Sequence, residues 1–260
     1  MSGDAATSGN LCLMDAMSIF FEIHEGLARQ APGSEATTRH LLSQCGSLPA
    51  APAVLDIGCG PGRASLVIAD AVPDATIIAV DLYQPYLDQL TASARAAGVD
   101  DRIEPRQASM TDLPFDDATF DLVWSEGAIY LMGFESGLRA WRRLVRPGGA
   151  MVVTEATWFA ATPSAAAAGF WAEAYPPMTD VDRCCRLAVE AGYDVLATYR
   201  LPHDDWWAEY YTPLTERLDA YDTTDPTVAA VVAAERTEID LHRDHGDEYG
   251  YTGFVLRLLD

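Results

Sequence analysis

Lysine is absent. All 17 basic residues are arginine, against 39 acidic ones, for a formal net charge of −22 in 260 residues. That balance lacks the surface cations through which proteins hold nucleic acid or an anionic membrane, so neither is expected as a partner. Long apolar runs are lacking too, and no stretch approaches the length of a transmembrane helix. Cysteine is scarce and odd in number, at 5 residues, and no CxxC spacing occurs. Cys12, Cys45, Cys59, Cys184 and Cys185 therefore read as free thiols, with no disulfide frame and no metal site. The first ten residues are small and polar and lack the basic start and apolar stretch of a secretory signal, so the expected location is the cytoplasm. An apolar content of 49% excludes wholesale disorder.

Residues 11–31 place Leu13, Met17, Phe20, Phe21 and Leu27 at helical spacing. Ala31-Pro32-Gly33-Ser34 breaks that helix, and Ser34 can cap a second one running to about Cys45. From residue 53 short apolar runs alternate with helical ones. Strands are expected at 53–57, 76–81, 102–107, 120–124 and 150–155. Helices are expected at 63–71, at 84–97 with Gly98 as its stop, and at 135–145 before Arg146-Pro147-Gly148-Gly149. A helix at 180–191, a strand at 193–201, helical stretches at 204–221 and 226–243, and a strand at 251–259 follow. Alternating strands and helices imply a parallel sheet covered on both faces. The expected fold is α/β, with residues 1–48 as an amino-terminal helical cap and 49–260 as a nucleotide-binding unit. Insertions near 157–180 and 202–245 would add to the cap.

The segment Val54-Leu55-Asp56-Ile57-Gly58-Cys59-Gly60-Pro61-Gly62-Arg63 is a strand, a Gly-x-Gly-x-Gly turn and a helix start. Its glycines allow a tight turn and a close approach of backbone to ligand, and the helix start offers unpaired N–H groups to an anion. A dinucleotide fingerprint needs glycine where Arg63 stands, which counts against an NAD(P)-dependent oxidoreductase. Asp56, at the strand end, suits a cationic ammonium better than a pyrophosphate. Asp81 ends the next strand, one βαβ unit on, where a carboxylate can accept from both hydroxyls of a ribose.

This combination resembles the class I S-adenosylmethionine-dependent methyltransferases over about residues 50–160. Residues 54–62 match that family's first motif and Asp81 its ribose-binding acid. Asp112-Leu113-Pro114-Phe115 with Phe120-Asp121-Leu122-Val123 matches the approach to its fourth strand, and Leu144-Val145-Arg146-Pro147-Gly148-Gly149 the turn into its fifth. The substrate-facing pieces, Trp124-Ser125-Glu126-Gly127-Ala128-Ile129-Tyr130 and Arg29-Gln30-Ala31-Pro32-Gly33-Ser34, look like the ubiquinone/menaquinone-biosynthesis group of small-molecule methyltransferases. The resemblance implies a Rossmann-like, doubly wound, seven-stranded sheet with an antiparallel last strand. It also implies S-adenosylmethionine as methyl donor, S-adenosylhomocysteine as product, and a small-molecule acceptor. A homodimer is compatible with it. A non-catalytic binder or scaffold of the same fold is the alternative.

The resemblance puts Asp56, Gly58, Cys59, Gly60, Gly62, Asp81, Leu82 and Ser125 at the cofactor. Ser109 and Met110 stand where many relatives carry Asp-Ala, beside adenine. Arg29 and Gln30 could close over the donor's amino-acid end. Glu126, just past the fourth strand, is the candidate base or orienter; His24 is a weaker candidate, on what reads as a solvated helix face. His242 and His245 read the same way. Tyr130, Trp158, Trp206 and Trp207 are candidates for an acceptor wall.

A lysine-free acidic surface suits a salt-rich interior, where screening relieves self-repulsion. A GC-rich genome, favouring Ala, Arg, Gly and Asp codons, accounts for it equally. The first account predicts a strong rise in Tm between low and molar KCl, measured by thermal melting; an unchanged Tm leaves codon usage as the cause.

Overall fold

The computed structural model describes residues 16–259. The central apolar runs become strands covered on both faces, whereas the edge strands at 103–107 and 193–200 leave some residues exposed. β1 (Ala53–Ile57), β2 (Thr76–Asp81), β3 (Ile103–Gln107), β4 (Phe120–Ser125) and β5 (Val145–Trp158) pair in parallel in the order β3-β2-β1-β4-β5. β8 (Tyr249–Leu258) inserts antiparallel between β5 and β7 (Tyr193–Arg200). These seven strands make the expected doubly wound sheet with its antiparallel last strand. A two-residue strand, β6 (Thr179–Asp180), is an addition that pairs with the end of β5. The strand order reverses between β1 and β4, and a crevice opens at the carboxyl ends of strands at such a point.

Helices α2 (Glu35–Ser43), α3 (Arg63–Ala71) and α4 (Gln84–Ala97) cover one face, burying Leu41, Ala64, Ile68 and Leu90 against Val54, Ile77, Trp124 and Val255. α5 (Phe134–Trp141) and α7 (Val181–Glu190) cover the other, with Leu138, Trp141, Cys184 and Ala188 against Leu55, Val123, Met151 and Phe254. A third apolar cluster forms a cap over the end where β5 stops and β8 begins. It joins α1 (residues 16–24), α6 (Ala165–Ala174), α8 (Asp204–Trp206), α9 (Thr212–Ala220) and α10 (Pro226–His245). A π-turn at Trp207–Tyr211 links α8 to α9.

Several boundaries differ from expectation. α1 ends at residue 24 because the chain turns there, with Leu27 N–H bonded to His24 O at 3.2 Å. α5 stops at Trp141, and a single 3-10 turn (Arg142–Leu144) replaces its last residues. β5 starts at Val145 and carries Arg146 to Gly149 as a bulge, since the register moves from Phe120↔Val145 to Leu122↔Ala150. Asp121 braces that bulge, accepting from Arg146 Nη1 at 2.6 Å and from Ala53 N–H at 2.8 Å. The expected cap at 1–48 divides in two. Ile23 and Leu27 belong to the cap cluster, whereas Leu41 and Cys45 of the α2 region belong to the sheet core. The apolar face of α2 fits the groove beside α3, so only the earlier part of that segment joins the cap. The described cysteines, Cys45, Cys59, Cys184 and Cys185, are free thiols; Cys12 lies outside the described residues.

Leu256 is fully buried between Met151 and Val195 on the neighbouring strands. Leu256→Ala is expected to cost about 2–5 kcal/mol, read as a lower urea midpoint at constant slope.

Candidate functional site

A cavity of about 530 Å³ lies in the crevice at the strand ends. Its floor is the turn after β1. Gly58 and Cys59 donate their N–H groups to Val80 O at 2.9 and 3.0 Å, which draws the turn across the end of β2. Gly58 has φ +69°, and a Cβ there would sit 2.5 Å from the Ala128 Cβ. Gly62 has φ +82°, and a Cβ would strike Leu90 at 2.1 Å. Both positions therefore require glycine, one for the approach of the β4 loop and one for the packing of α3 on α4.

Asp81 closes the turn. Its Oδ2 accepts from Gly60 N–H at 2.8 Å and its Oδ1 from Tyr83 N–H at 2.9 Å. Each oxygen keeps a lone pair for a ligand. Burial raises the Asp81 carboxyl, opposed by those two N–H groups. Asp56 is buried at the end of β1 and accepts from Ser65 Oγ at 2.6 Å. Burial pushes its carboxyl up to about 7, against the Ser65 hydrogen bond and with the charges of Glu126 and Asp81 adding to the rise.

Glu126 sits at the opposite wall with three donors on its carboxylate. Oε2 accepts from Arg29 Nη1 at 3.0 Å; Oε1 accepts from Thr38 Oγ1 at 2.7 Å and Trp124 Nε1 at 3.0 Å. Arg29 is 5% exposed and also binds Glu209 Oε2 through Nε at 2.9 Å, but its Nη2 is buried without a partner. Gln30 is held at both ends, donating to His24 O at 3.0 Å and accepting from Tyr86 Oη at 2.7 Å.

The structure thus brings Arg29, Gln30, Asp56, Gly58, Cys59, Gly60, Asp81, Leu82, Ser109, Met110, Glu126 and Tyr130 to one cavity. Gly62 lies behind the turn, at the start of α3. Ser125 is fully buried and donates to Ile57 O at 2.8 Å, so it clamps β4 to β1 and does not face the cavity.

His24 is another correction. It is fully buried, with Nδ1 on Phe20 O at 2.8 Å and Nε2 facing Glu235 at 3.8 Å, because α1 is covered by cap helices on the side expected to meet solvent. His242 is also buried, stacked 3.9 Å from Trp206, and burial lowers its ring to about 3. His245, half-buried, meets Glu248 at 2.9 Å. That stacking holds Trp206 and Trp207 within the cap, where Trp207 Nε1 donates to His203 at 3.1 Å, and away from the cavity wall. Trp158 lines a separate hollow of about 420 Å³ with Trp171 and Tyr175.

Residues that the sequence reading did not single out line the cavity as well. Phe21 stacks on Tyr83 at 4.4 Å, and Tyr86, Ala108, Thr111 and Met132 complete the wall. Tyr83 and Tyr86 carried a usable signal, since Tyr83 caps α4 just after Asp81 and Tyr86 lies in the first turn of that helix.

Asp56 enters the fold with a carboxyl pKa raised from 3.8 to about 7, so its contribution is fully present below about pH 4 and is lost as pH rises through 7. The unfolding free energy of Asp56→Asn minus that of the wild type should therefore grow between pH 5 and 8, measured by urea unfolding. A flat difference would mean that Asp56 is ionised in the folded chain throughout.

Residues 54–149 match a methyltransferase domain family model. The chain is 34% identical over 122 residues to 27-O-demethylrifamycin SV methyltransferase of Amycolatopsis mediterranei, covering 46% of this chain and 44% of that protein. It is 37% identical over 103 residues to demethylmenaquinone methyltransferase of Clavibacter sepedonicus, covering 39% and 40%. The chain spans less than half the length of these curated relatives. A solved structure of an S-adenosylmethionine-dependent methyltransferase from Geobacter sulfurreducens, in complex with S-adenosylhomocysteine, has the same fold. It aligns with a TM-score of 0.79 at 20% identity over 92% of this chain and 97% of that one.

Proposed function

We propose that this chain, which carries a methyltransferase domain on the class I S-adenosylmethionine-dependent methyltransferase fold, transfers a methyl group from S-adenosylmethionine to a small-molecule acceptor. The observation that carries the reading is the convergence on one cavity of the glycine turn, the Asp81 carboxylate and an Arg29 guanidinium with a free buried N–H edge.

The residues present fit the donor. The orphaned Arg29 Nη2 is an unused site for a carboxylate, and a buried donor left unpaired is costly. Asp81 would accept from the ribose hydroxyls through its remaining lone pairs. Leu82 and Met110 offer apolar surface to a planar base, and Ser109 a hydroxyl at its edge. Asp56, beneath the turn, would meet an ammonium group directly or through water, and a cation there would favour its ionised form.

The bound donor supplies a methyl group on a positively charged sulfur, whose departure leaves a neutral thioether. The chain has to align and shield that displacement. α1 and the 28–32 segment cover the cavity from the cap side through Phe20, Phe21 and Arg29. Tyr130 stands at the far wall, 39% exposed. Glu126 acts as a positioning residue: with both oxygens engaged, it holds Arg29 against the cavity and ties the chain entering α2 to β4. A net charge of −22 argues against a nucleic-acid acceptor.

Calorimetric titration tests the reading. Micromolar binding of S-adenosylmethionine and S-adenosylhomocysteine, with none of NADH, is expected. Asp81→Ala should weaken both by ~10-fold or more through loss of charged hydrogen bonds. Folded protein that ignores both sulfur nucleosides at low and high KCl would overturn it.

A further inference from the structure

Glu209 lines no part of the cavity, yet it touches two arginines that do. Its Oε2 accepts from Arg29 Nε at 2.9 Å and from Arg63 Nε at 3.3 Å. The residue lies on the π-turn between α8 and α9. Just upstream, Asp205 ties this stretch to the chain that follows Arg29. Its backbone oxygen accepts from Gly33 N–H at 3.0 Å and its Oδ2 from Thr37 Oγ1 at 2.5 Å. A π-turn adds a residue to a helical turn and is frequent at functional sites. On this one Tyr210 and Tyr211 are buried in the cap, while Glu209, half-buried, faces the arginines.

We infer that Glu209 is a positioning residue for the donor's carboxylate: it holds Arg29 and Arg63 by Nε, so that Nη groups are left for the ligand. The inference rests on the methyl-transfer reading above and on the place it gives that carboxylate. A guanidinium is planar, with its five N–H groups in a fixed fork. Held only through Nη1 by Glu126, the Arg29 plane is free to swing. A second tie at Nε fixes it. Nη2 is then the one nitrogen left over, buried and without a partner among the described residues. Arg63 is half-exposed, and its Nη groups make no hydrogen bond to the described residues. Without Glu209 it would spread over many rotamers in solvent. Ordering it in advance removes that cost from binding.

The rival role for a carboxylate here is competition with the donor. A competitor would take Arg29 Nη2, the nitrogen that needs a partner, and Glu209 takes Nε instead. The two roles also differ in sign. The two arginines face the two carboxylates of Glu126 and Glu209, so the network is neutral before a ligand arrives. Removing Glu209 leaves an excess positive charge, which by attraction alone would tighten the hold on a carboxylate. Loss of position weakens that hold. Solvent screens the charge gain at the half-exposed Arg63. The aligned, charge-assisted hydrogen bond at the buried Arg29 is the larger effect, so the expected result is weaker binding.

The test titrates the full chain calorimetrically with S-adenosylhomocysteine and with its decarboxylated analogue, which keeps the adenosine, the thioether and the amine. The wild type should hold S-adenosylhomocysteine at least ~10-fold more tightly than the analogue. Glu209→Ala should weaken S-adenosylhomocysteine by ~10-fold and leave the analogue within ~2-fold, which also shows that the variant folds. Glu209→Gln keeps an oxygen for both Nε groups without the charge, and should restore most of the loss. Should Glu209→Ala not fold, Arg63→Met, at the start of α3, carries the same comparison. Equal weakening of both ligands would mean a structural role, and tighter binding of S-adenosylhomocysteine would mean competition. Either result, or unchanged binding, would overturn the proposal and leave the donor site standing. So would a wild type that holds the two ligands equally. A wild type that binds neither removes the methyl-transfer reading itself, and this proposal with it.

Discussion

The carboxylate of Glu126 joins three separate parts of the chain. It takes one donor from the segment after α1, one from α2 and one from β4 itself. Arg29 carries the connection on to Glu209, beyond α8, where Arg63 at the start of α3 also arrives, 3.3 Å away. Sheet, cap and glycine turn thus share one network of charge-assisted hydrogen bonds. A buried ion pair of this kind adds little to net stability, but breaking it strands a charge, so it favours a single arrangement over many. That arrangement is the one in which the chain at residues 28–32 lies over the cavity.

The interior is acidic as well as the surface. Asp56, Asp81, Glu155, Glu235 and Glu238 all sit where burial raises their carboxyls. A chain without lysine has few cations to set against them, and its arginines are spent mostly at the periphery. Arg139, Arg143, Arg236 and Arg243 pair with exposed carboxylates, where such pairs are worth little. Arg29 is the exception, buried and shared between two glutamates. The walls of the cavity and the adjoining cap are therefore short of positive charge. The proposed donor would bring a positive charge with it.

Much of the sheet was legible because the information is local. A strand buried on both faces is a short apolar run, and the turn that follows β1 announces itself through glycines within five residues of one another. Asp81 was readable for the same reason, being tied to the turn by the fixed length of one βαβ unit. The helix ends and the entry to β5 were less so. The Arg146–Gly149 stretch looks like a stop in sequence, yet Asp121 holds it as a bulge within β5, a contact between residues 25 apart.

The sequence by itself determined the layered α/β architecture, the position of the ligand turn and the acid that faces it, since these follow from periodicity and backbone sterics over a few residues. Only the tertiary structure decided which polar side chains are buried. His24 and His242 stand on helices with polar sides, but the cap packs helices around them, so the side that suggested solvent meets other side chains. The partnership of Glu126 with Arg29 spans 97 residues, and that of Thr37 with Asp205 spans 168. No local pattern encodes such a convergence, because it is the packing of the cap against the sheet that creates it.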